Sequence, residues 1–398
     1  MNVDALVIGA GPAGTAAART LAQEGVNVAL VDRYDFPRDK VCGDALIPDA
    51  LTALAELGIK QDVLRAARQF NAVRIYSPNH AYVELRGVSA CIPRLAFDDL
   101  LRTAAIDAGA HFHPHLRVVE PLVADGRVSG ARFEETRTRD RIDIHARCTI
   151  LATGAASDVL TRFGVCLRST ASATAARVYV KVPTSRAAQW DHLCIAYSKS
   201  ICPGYGWIFP GPDDLFNVGV GYYYDVRNLP RERNVRTLLA TFLEEFPPAV
   251  DLMKASVPVT DLKGAPLRTA MQGALPGRPG LLVAGEAAGM TYSFSGEGIG
   301  KALQSGIIAS RVALRHGLDA SSAAVEAYRA TLDGEFSSRF RAYQTLQRWL
   351  AHPAFLNLLA RRARSGSYLR RELEELFNET GNPQELVSLR GIVKALVS

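Results

Sequence analysis

An α/β fold (α+β overall) is predicted for this 398-residue chain: a Rossmann-like dinucleotide-binding domain, discontinuous in sequence, joined to an antiparallel β-sheet substrate domain and a helical C-terminal region. Three observations predict it. A strand, a glycine-rich turn and a small-residue helix open the chain; β-rich, aromatic sequence fills residues 173–224; residues 323–379 are mostly helical in pattern. The boundaries read as 1–72, 93–165 and 270–325 for the dinucleotide domain, 73–92 and 166–269 for the sheet domain, and 326–398 for the helical region.

Taken in order, "VDALVIG" (3–9) is a buried strand, "AGPAGTAAARTLAQEG" a helix and "VNVALVDR" (26–33) a second strand, the β-α-β start of a parallel sheet. A loop, 34–48, leads to a helix across 49–57. Residues 73–88 alternate as a strand or hairpin, 92–109 form a helix, and three β-runs follow between 116 and 152, the last ending in "LATG". Residues 232–256 read as helical. "GLLVAGEAAG" (280–289) is another buried strand, followed after a glycine-rich turn by a helix over 298–317.

Composition narrows the class. Hydrophobic content of 48% and charged content of 22% are ordinary for a globular chain, so no long disordered tract is expected. The net charge of +6 suits anionic cofactors, acidic lipid surfaces or no particular partner, and no zinc-finger, basic-zipper or RNA-binding signature is present, so nucleic acid is not an expected partner. The six cysteines are scattered without a CxxC pair, which argues against a disulfide framework or a zinc site and for a reducing compartment. No basic n-region precedes the first strand and no apolar run reaches the roughly 20 residues needed to span a bilayer. The expected location is cytoplasmic, free or peripheral at a membrane.

The chemistry begins at Gly9-x-Gly11-x-x-Gly14, where a dinucleotide fingerprint belongs. Gly9 permits the tight turn, Gly11 the approach of a pyrophosphate, and Gly14 close helix–strand packing; Pro12 and Ala13 open a helix whose N–H groups and dipole face the phosphates. Asp32, 18 residues after Gly14 and followed by Arg33, can accept the ribose hydroxyls. "LATG" brings Ala152 and Gly154 to the end of a later strand, and Gly285-Glu286 ends another.

This layout resembles the FAD-binding flavoproteins of the para-hydroxybenzoate hydroxylase fold, in which the first motif holds the ADP half and a late Gly-Asp contacts the ribityl and pyrophosphate; here Glu286 replaces that Asp. Within the superfamily, "FPRDKVCG" (36–43), "PGYGWIFP" (203–210) and "FSGEGIGKALQSG" (294–306) resemble the geranylgeranyl reductase family, and Arg94, Phe97 and Asp98 fit its RxxFDxxL helix. The resemblance spans most of the first 310 residues and makes the dinucleotide FAD. It implies that Cys42 and Gly43 lie near the flavin ring, that Arg94 lies near the cofactor, and that Gly296, Gly298 and Ile299 meet the flavin pyrimidine. Each has a plainer reading: Cys42 as a small buried hydrophobe, Arg38 and Lys40 as a solvated face rather than contacts to an anionic group, Gly296 and Gly298 as a turn, Glu297 as a solvated or helix-start charge. The Asp-Gly that NAD(P)H-using members carry after the ATG glycine is absent, the run here being Gly154-Ala155-Ala156-Ser157-Asp158, and there is no second nicotinamide fingerprint.

In "PGYGWIFP", alternation puts Tyr205, Trp207 and Phe209 on one face. They read either as the packing face of a sheet or as the wall of an apolar slot for a long hydrocarbon. The resemblance implies an FAD-dependent reductase of carbon–carbon double bonds in an isoprenoid or similarly apolar or lipid substrate, with NAD(P)H or a ferredoxin-like protein as electron donor. Cys42, Tyr205 and Trp207 are the catalytic candidates: aromatic faces stabilise cationic character, and Cys42, Tyr205 or water supplies a proton. The alternatives are a monooxygenase that hydroxylates or epoxidises through a flavin C4a-hydroperoxide, and a non-catalytic flavin or lipid carrier; the WxWxIP-type motif of flavin-dependent halogenases is absent. The stretch 339–371 holds eight arginines and no acid. It reads as a peripheral contact with an anionic membrane, or as a lid whose arginines face water or Glu372, Glu374, Glu375 and Glu379.

Overall fold

The computed structural model describes residues 1–224, 234–349, 351–388, 390, 391 and 394. Residues 232 and 233 of the expected 232–256 helix, residue 350 of the arginine-rich stretch and most of 389–398 lie outside these.

The chain begins β1 (Asn2–Ile8), α1 (Pro12–Gln23) and β2 (Val28–Val31), the expected β-α-β unit. Then come β3 (Ala45–Leu46), α2 (Pro48–Glu56), α3 (Lys60–Ala66), a hairpin of β4 (Arg68–Tyr76) and β5 (Tyr82–Cys91), α4 (Arg94–Asp107) and β6 (His111–His113). A meander follows, β7 (Leu116–Ala124), β8 (Arg127–Glu135) and β9 (Arg141–Leu151), and after it α5 (Ser157–Arg162), β10 (Ala173–Lys181), α6 (Thr184–Ala187), β11 (Leu193–Ala196), β12 (Tyr205–Pro210) and β13 (Leu215–Tyr223). The expected 232–256 helix is two, α7 (Val235–Glu245) and α8 (Pro247–Lys254), parted at Phe246 because Pro247 opens the second as its first residue. Short strands β14 (Val257–Pro258), β15 (Lys263–Leu267), β16 (Gly277–Arg278) and β17 (Leu281–Val283) precede α9 (Ile299–Arg315). The remainder is α10 (Ser322–Leu332), α11 (Ser338–Trp349), α12 (Pro353–Ser365), α13 (Ser367–Phe377) and α14 (Pro383–Val387).

Two sheets result. The first has the order β16-β17-β9-β1-β2-β6, with β7 and β8 attached through β9; β1 pairs parallel with both β2 and β9, and β17 parallel with β9. Its parallel strands β2 and β17 are buried along their whole length because helices cover both faces there. The second runs β14-β10-β13-β12-β11-β4-β5-β3, with β15 added to β10. It is antiparallel except where β11 lies parallel to β4, Ile195 opposite Ile75. That pair joins strands more than 100 residues apart, so alternation alone had no means of revealing it.

The second sheet has two different faces. Along β12, Tyr205, Trp207 and Phe209 point into the core shared with the nucleotide-binding sheet, while Ile208 points into a separate core with Leu238, Leu239 and Phe242 of α7. The alternation read from the sequence is therefore a choice between two cores. Gly206 faces α7, where a Cβ would come within 2.5 Å of the Phe242 ring, so the glycine makes room behind the aromatic row rather than beside it.

Candidate active site

The nucleotide cradle is backbone brought close. Gly9 has φ of 104°, and a Cβ there would lie 2.4 Å from the Ala152 carbonyl oxygen; a Cβ on Gly14 would lie 1.7 Å from that of Gly9. Neither position tolerates a side chain. Gly11, the N-cap of α1, is open on its outer side, where a Cβ would meet only the Arg38 guanidinium at 3.8 Å. No side chain caps α1, so the N–H groups after Pro12 and Ala13 face that opening. Asp32 stands at its edge: Oδ2 accepts the N–H of Ala10 at 2.8 Å and Oδ1 that of Tyr34 at 3.0 Å. Arg33 is exposed and lies over the Tyr34 ring instead of entering the cradle.

The later motifs close on the same place. Gly285, at φ of 69°, packs so near α1 that a Cβ would meet the Ala13 methyl at 2.7 Å. Glu286 reaches across to Gly154, its Oε2 3.7 Å from where a Cβ on that glycine would be, and Oε1 accepts the Arg268 N–H at 3.3 Å. The Thr153 hydroxyl beside them is buried without a partner among the described residues. An uncapped helix N-terminus, glycines packed too closely for a side chain around the open Gly11, a carboxylate at the rim and an orphaned hydroxyl fit the ADP and ribityl parts of FAD. Gly298 caps α9, and Ile299 is its first residue.

Arg38 and Arg94 are not free cations. Asp98, fully buried, takes Arg94 through Nε at 2.6 Å and Nη2 at 2.7 Å, and Arg38 through Nη1 at 3.0 Å; Arg38 also lies 3.9 Å from Asp32. One carboxylate thus fixes both guanidiniums over the loop that carries Cys42. The Cys42 thiol is half-buried, and burial pushes its pKa up against the pull of Arg94, so it keeps its proton at neutral pH.

Gly43 places that loop against the aromatic row: a Cβ there would lie 3.1 Å from the Phe209 ring and 3.6 Å from Trp207. Trp207 and Phe209 stack with centroids 6.2 Å apart. Across the sheet, Gly219 stands opposite Trp207 and Gly221 opposite Tyr205, which gives the rings room to lie over the neighbouring strand. Trp207 donates Nε1–H to Asn217 Oδ1 at 2.9 Å, and Asn217 Nδ2 donates at 2.7 Å to both the Cys42 carbonyl and Asp44 Oδ2. Tyr179 also donates to Asp44. Burial lifts the Asp44 carboxyl to about 6 despite these bonds.

Sequence reasoning missed Asp44, Tyr179 and Asn217. The available signals were an acid directly after Cys42-Gly43 and an Asn inside the apolar strand "LFNVGVGYY".

Tyr205 differs from its two companions. Its hydroxyl donates to the Ser295 carbonyl, next to Gly296, and its ring lines an apolar cavity of about 180 Å³. Trp207 and Phe209 do not line that cavity. Its walls come from β4, β5 and β11, from Phe294 and Ser295, and from α11, α12 and α13 through Leu346, Leu356 and Leu373. It exceeds the roughly 150 Å³ at which engineered apolar cavities stay dry and bind benzene. Glu297 is not solvated: its Oε1 accepts the Gly300 N–H at 2.9 Å at the start of α9, and burial raises its carboxyl well above the usual range.

Of the eight arginines in 339–371, six are exposed (341, 348, 361, 364, 370 and 371). Arg339 turns inward to Glu379 at 3.1 Å, one of the acids a lid was expected to face. Among the described residues, no helix is long and apolar enough to cross a membrane.

Residues 2–330 match the family described as FAD binding domain. A menaquinone reductase of Mycolicibacterium smegmatis is 30% identical over 90% of this chain and 87% of its own length. A digeranylgeranylglycerophospholipid reductase 2 of Methanosphaera stadtmanae is 28% identical, covering 88% of each chain. The solved structure of a geranylgeranyl bacteriochlorophyll reductase-like protein from Thermoplasma acidophilum superposes with a TM-score of 0.78 at 22% identity, over 100% of this chain and 96% of that one.

Proposed function

The chain belongs to the geranylgeranyl reductase family of FAD-dependent oxidoreductases, and on that premise we propose that it saturates carbon–carbon double bonds in the isoprenoid chain of a lipid or quinone. The observation that carries this reading is the apolar cavity: it begins at Tyr205 and Ser295, beside the glycines at the start of α9, and runs out under α12 and α13. Burying hydrocarbon there is worth about 0.8 kcal/mol per CH2. Both named relatives carry substrate names with isoprenoid chains.

Bound FAD supplies the hydride. Gly9, Gly11, Pro12, Ala13, Gly14, Asp32 and Arg38 hold its ADP half in this proposal, Ala152, Gly154, Gly285 and Glu286 its middle, and Gly296, Gly298 and Ile299 its pyrimidine edge. Arg94 and Asp98 fix the Cys42–Gly43 loop, which Trp207 and Phe209 back. Tyr205 lines the cavity, holds the alkene and offers its ring face to cationic character as the bond is reduced, while Trp207, buried behind it, keeps that ring in place. Cys42, which keeps its thiol proton and does not line the cavity, stands on the loop beside the flavin ring in this proposal. Electrons come from NAD(P)H or a ferredoxin-like protein. The exposed arginines on α12 and α13 face an anionic membrane, and the lipid enters from it.

The test is anaerobic. Flavin on the enzyme is reduced, a polyprenyl quinone or polyprenyl lipid is added, and flavin reoxidation is followed together with product mass. Reoxidation with a gain of two hydrogens is expected. No reaction without oxygen, and a product one oxygen heavier with it, would overturn the reading in favour of the oxygenase. Cys42→Ala tests that residue separately: unchanged turnover and flavin spectrum would remove it from the site.

A further inference from the structure

Alkene saturation needs a proton as well as a hydride, and the cavity wall holds a group suited to give it. Among the described residues that line the cavity, Glu379 is the sole charged one. It sits at the end where Tyr292, Phe294 and Tyr343 pack together, with Tyr292 and Tyr343 4.4 Å apart by ring centroid. Its Oε2 lies 3.3 Å from Lys301 Nζ and 3.1 Å from Arg339 Nη1, and accepts from the Tyr292 hydroxyl at 3.4 Å. Lys301, 3% exposed, turns its other side to Asp49, also 3% exposed, at 3.1 Å. Glu297 completes the group; its Oε2 is buried and has no hydrogen-bond partner among the described residues.

The charges do not balance. Three carboxyls (Asp49 from α2, Glu297 before α9, Glu379 after α13) face two cations (Lys301 from α9, Arg339 from α11), with the phenols of Tyr292 and Tyr343 between them. An uncompensated buried anion is strongly destabilising, whereas taking up one proton removes it. Resting on the reading of this site as an alkene reductase, we propose that the three carboxyls share one proton and that Glu379 delivers it to the substrate. As one alkene carbon receives the hydride, the π pair takes the proton from the carboxyl of Glu379. The O–H electrons stay on Glu379, whose carboxylate is then held by Lys301 and Arg339, and a solvent proton restores the cluster. Burial first, then the Asp49 charge, push Glu297 up, against Lys301; burial pushes Glu379 up against Lys301 and Arg339. Both directions agree with the geometric excess of one carboxyl over the two cations. Glu379 touches the cavity and is the catalytic residue; Glu297 is a positioning residue that sets the proton's affinity.

Two experiments decide. In the holoenzyme without substrate, infrared difference spectra across pH are expected to show the carbonyl stretch of a protonated carboxyl at neutral pH, shifted in deuterated water and lost in Glu297→Gln. No such band in the native enzyme overturns the shared proton, whatever the substrate proves to be. In the second, anaerobically reduced enzyme is mixed with a polyprenyl quinone or lipid. Glu379→Gln is expected to bind FAD with an unchanged spectrum, to reoxidise about 100-fold more slowly, and to lose the solvent isotope effect, the scale of a missing general acid. Glu379→Asp recovers part of the rate. Native rate and native isotope effect in Glu379→Gln overturn the assignment. Should that variant fail to fold, Glu297→Gln, which removes no ion pair, decides: its rate is expected to fall at lower pH than that of the native enzyme, and an unchanged pH profile overturns the proposal. If the native enzyme shows the band but no polyprenyl compound reoxidises its flavin, the alkene-reductase reading fails and the shared proton stands.

Discussion

The nucleotide cradle and the apolar cavity adjoin at the start of α9, yet they are made differently. The cradle is main chain: Gly9, Gly11, Gly14 and Gly285 act by lacking a Cβ, and the binding groups are N–H donors and one carboxylate. The cavity is side chain, drawn from strands of the second sheet, from the segment before α9 and from three helices near the C-terminus. A backbone cradle has few solutions and is unforgiving. A side-chain cavity has many, because hydrophobic burial is non-directional and repacking is tolerated. On the proposed reading, the cofactor is therefore fixed by geometry, while the shape of the substrate is set by replaceable residues.

The contrast is open to direct attack. The largest effect is expected at Gly14→Val, whose new side chain has to displace the Gly9 carbonyl. FAD affinity should fall by roughly 100-fold or more, about 2.7 kcal/mol, and the protein should purify colourless. A flavin-replete variant would show that the cradle yields as readily as the cavity. Next is Asn217→Leu, which strips partners from the Trp207 N–H and from Asp44. Each buried group left unsatisfied costs about 1–3 kcal/mol, so denaturant unfolding should shift by about 2–4 kcal/mol. Unaltered unfolding would mean that the row behind Gly43 owes nothing to this network.

The third prediction concerns pH. Burial lifts the Asp44 carboxyl to about 6 in the fold, above the ordinary range of an aspartate near 4. The native state thus binds a proton where the unfolded chain has released it. The stability this group contributes is complete below about pH 4 and is lost as pH rises through about 6. Asp44→Asn should flatten the stability–pH curve across that window, by at most about 3 kcal/mol; a curve parallel to the native one would place the titration elsewhere. The smallest effect is expected at the exposed arginines of α12. Arg361→Glu and Arg364→Glu should each weaken sedimentation with phosphatidylserine vesicles by about 5-fold, from about 1 kcal/mol per basic residue near the surface. Binding that ignores both charge and salt would leave the membrane face without support.

What was legible in the sequence follows the same division. "VIGAGPAGTA", Asp32, "LATG" and "GLLVAGE" were readable because strand, turn and helix carry the cradle within a few residues of each other. The single-face alternation of Tyr205, Trp207 and Phe209 was readable too, but not which of them reaches the cavity. That depends on Gly43, Gly219 and Gly221, more than 170 residues apart at the extremes, which let Trp207 and Phe209 sink into packing. The carboxyl cluster was hidden for the same reason, since its members lie at 49, 297, 301, 339 and 379. One clue existed in Lys301, a lone charge on the Gly/Ala/Ile face of "GIGKALQSGII", which needs buried partners.

The bond from the Tyr205 hydroxyl to the Ser295 carbonyl makes the two regions mechanically continuous. A chain that slides against Tyr205 pulls on the backbone one residue from Gly296, where the proposed placement puts the rim of the isoalloxazine. Occupancy of the cavity is then expected to change the colour of the cofactor. Candidate substrates can be ranked by titrating the oxidised enzyme in a spectrophotometer, before any has been turned over.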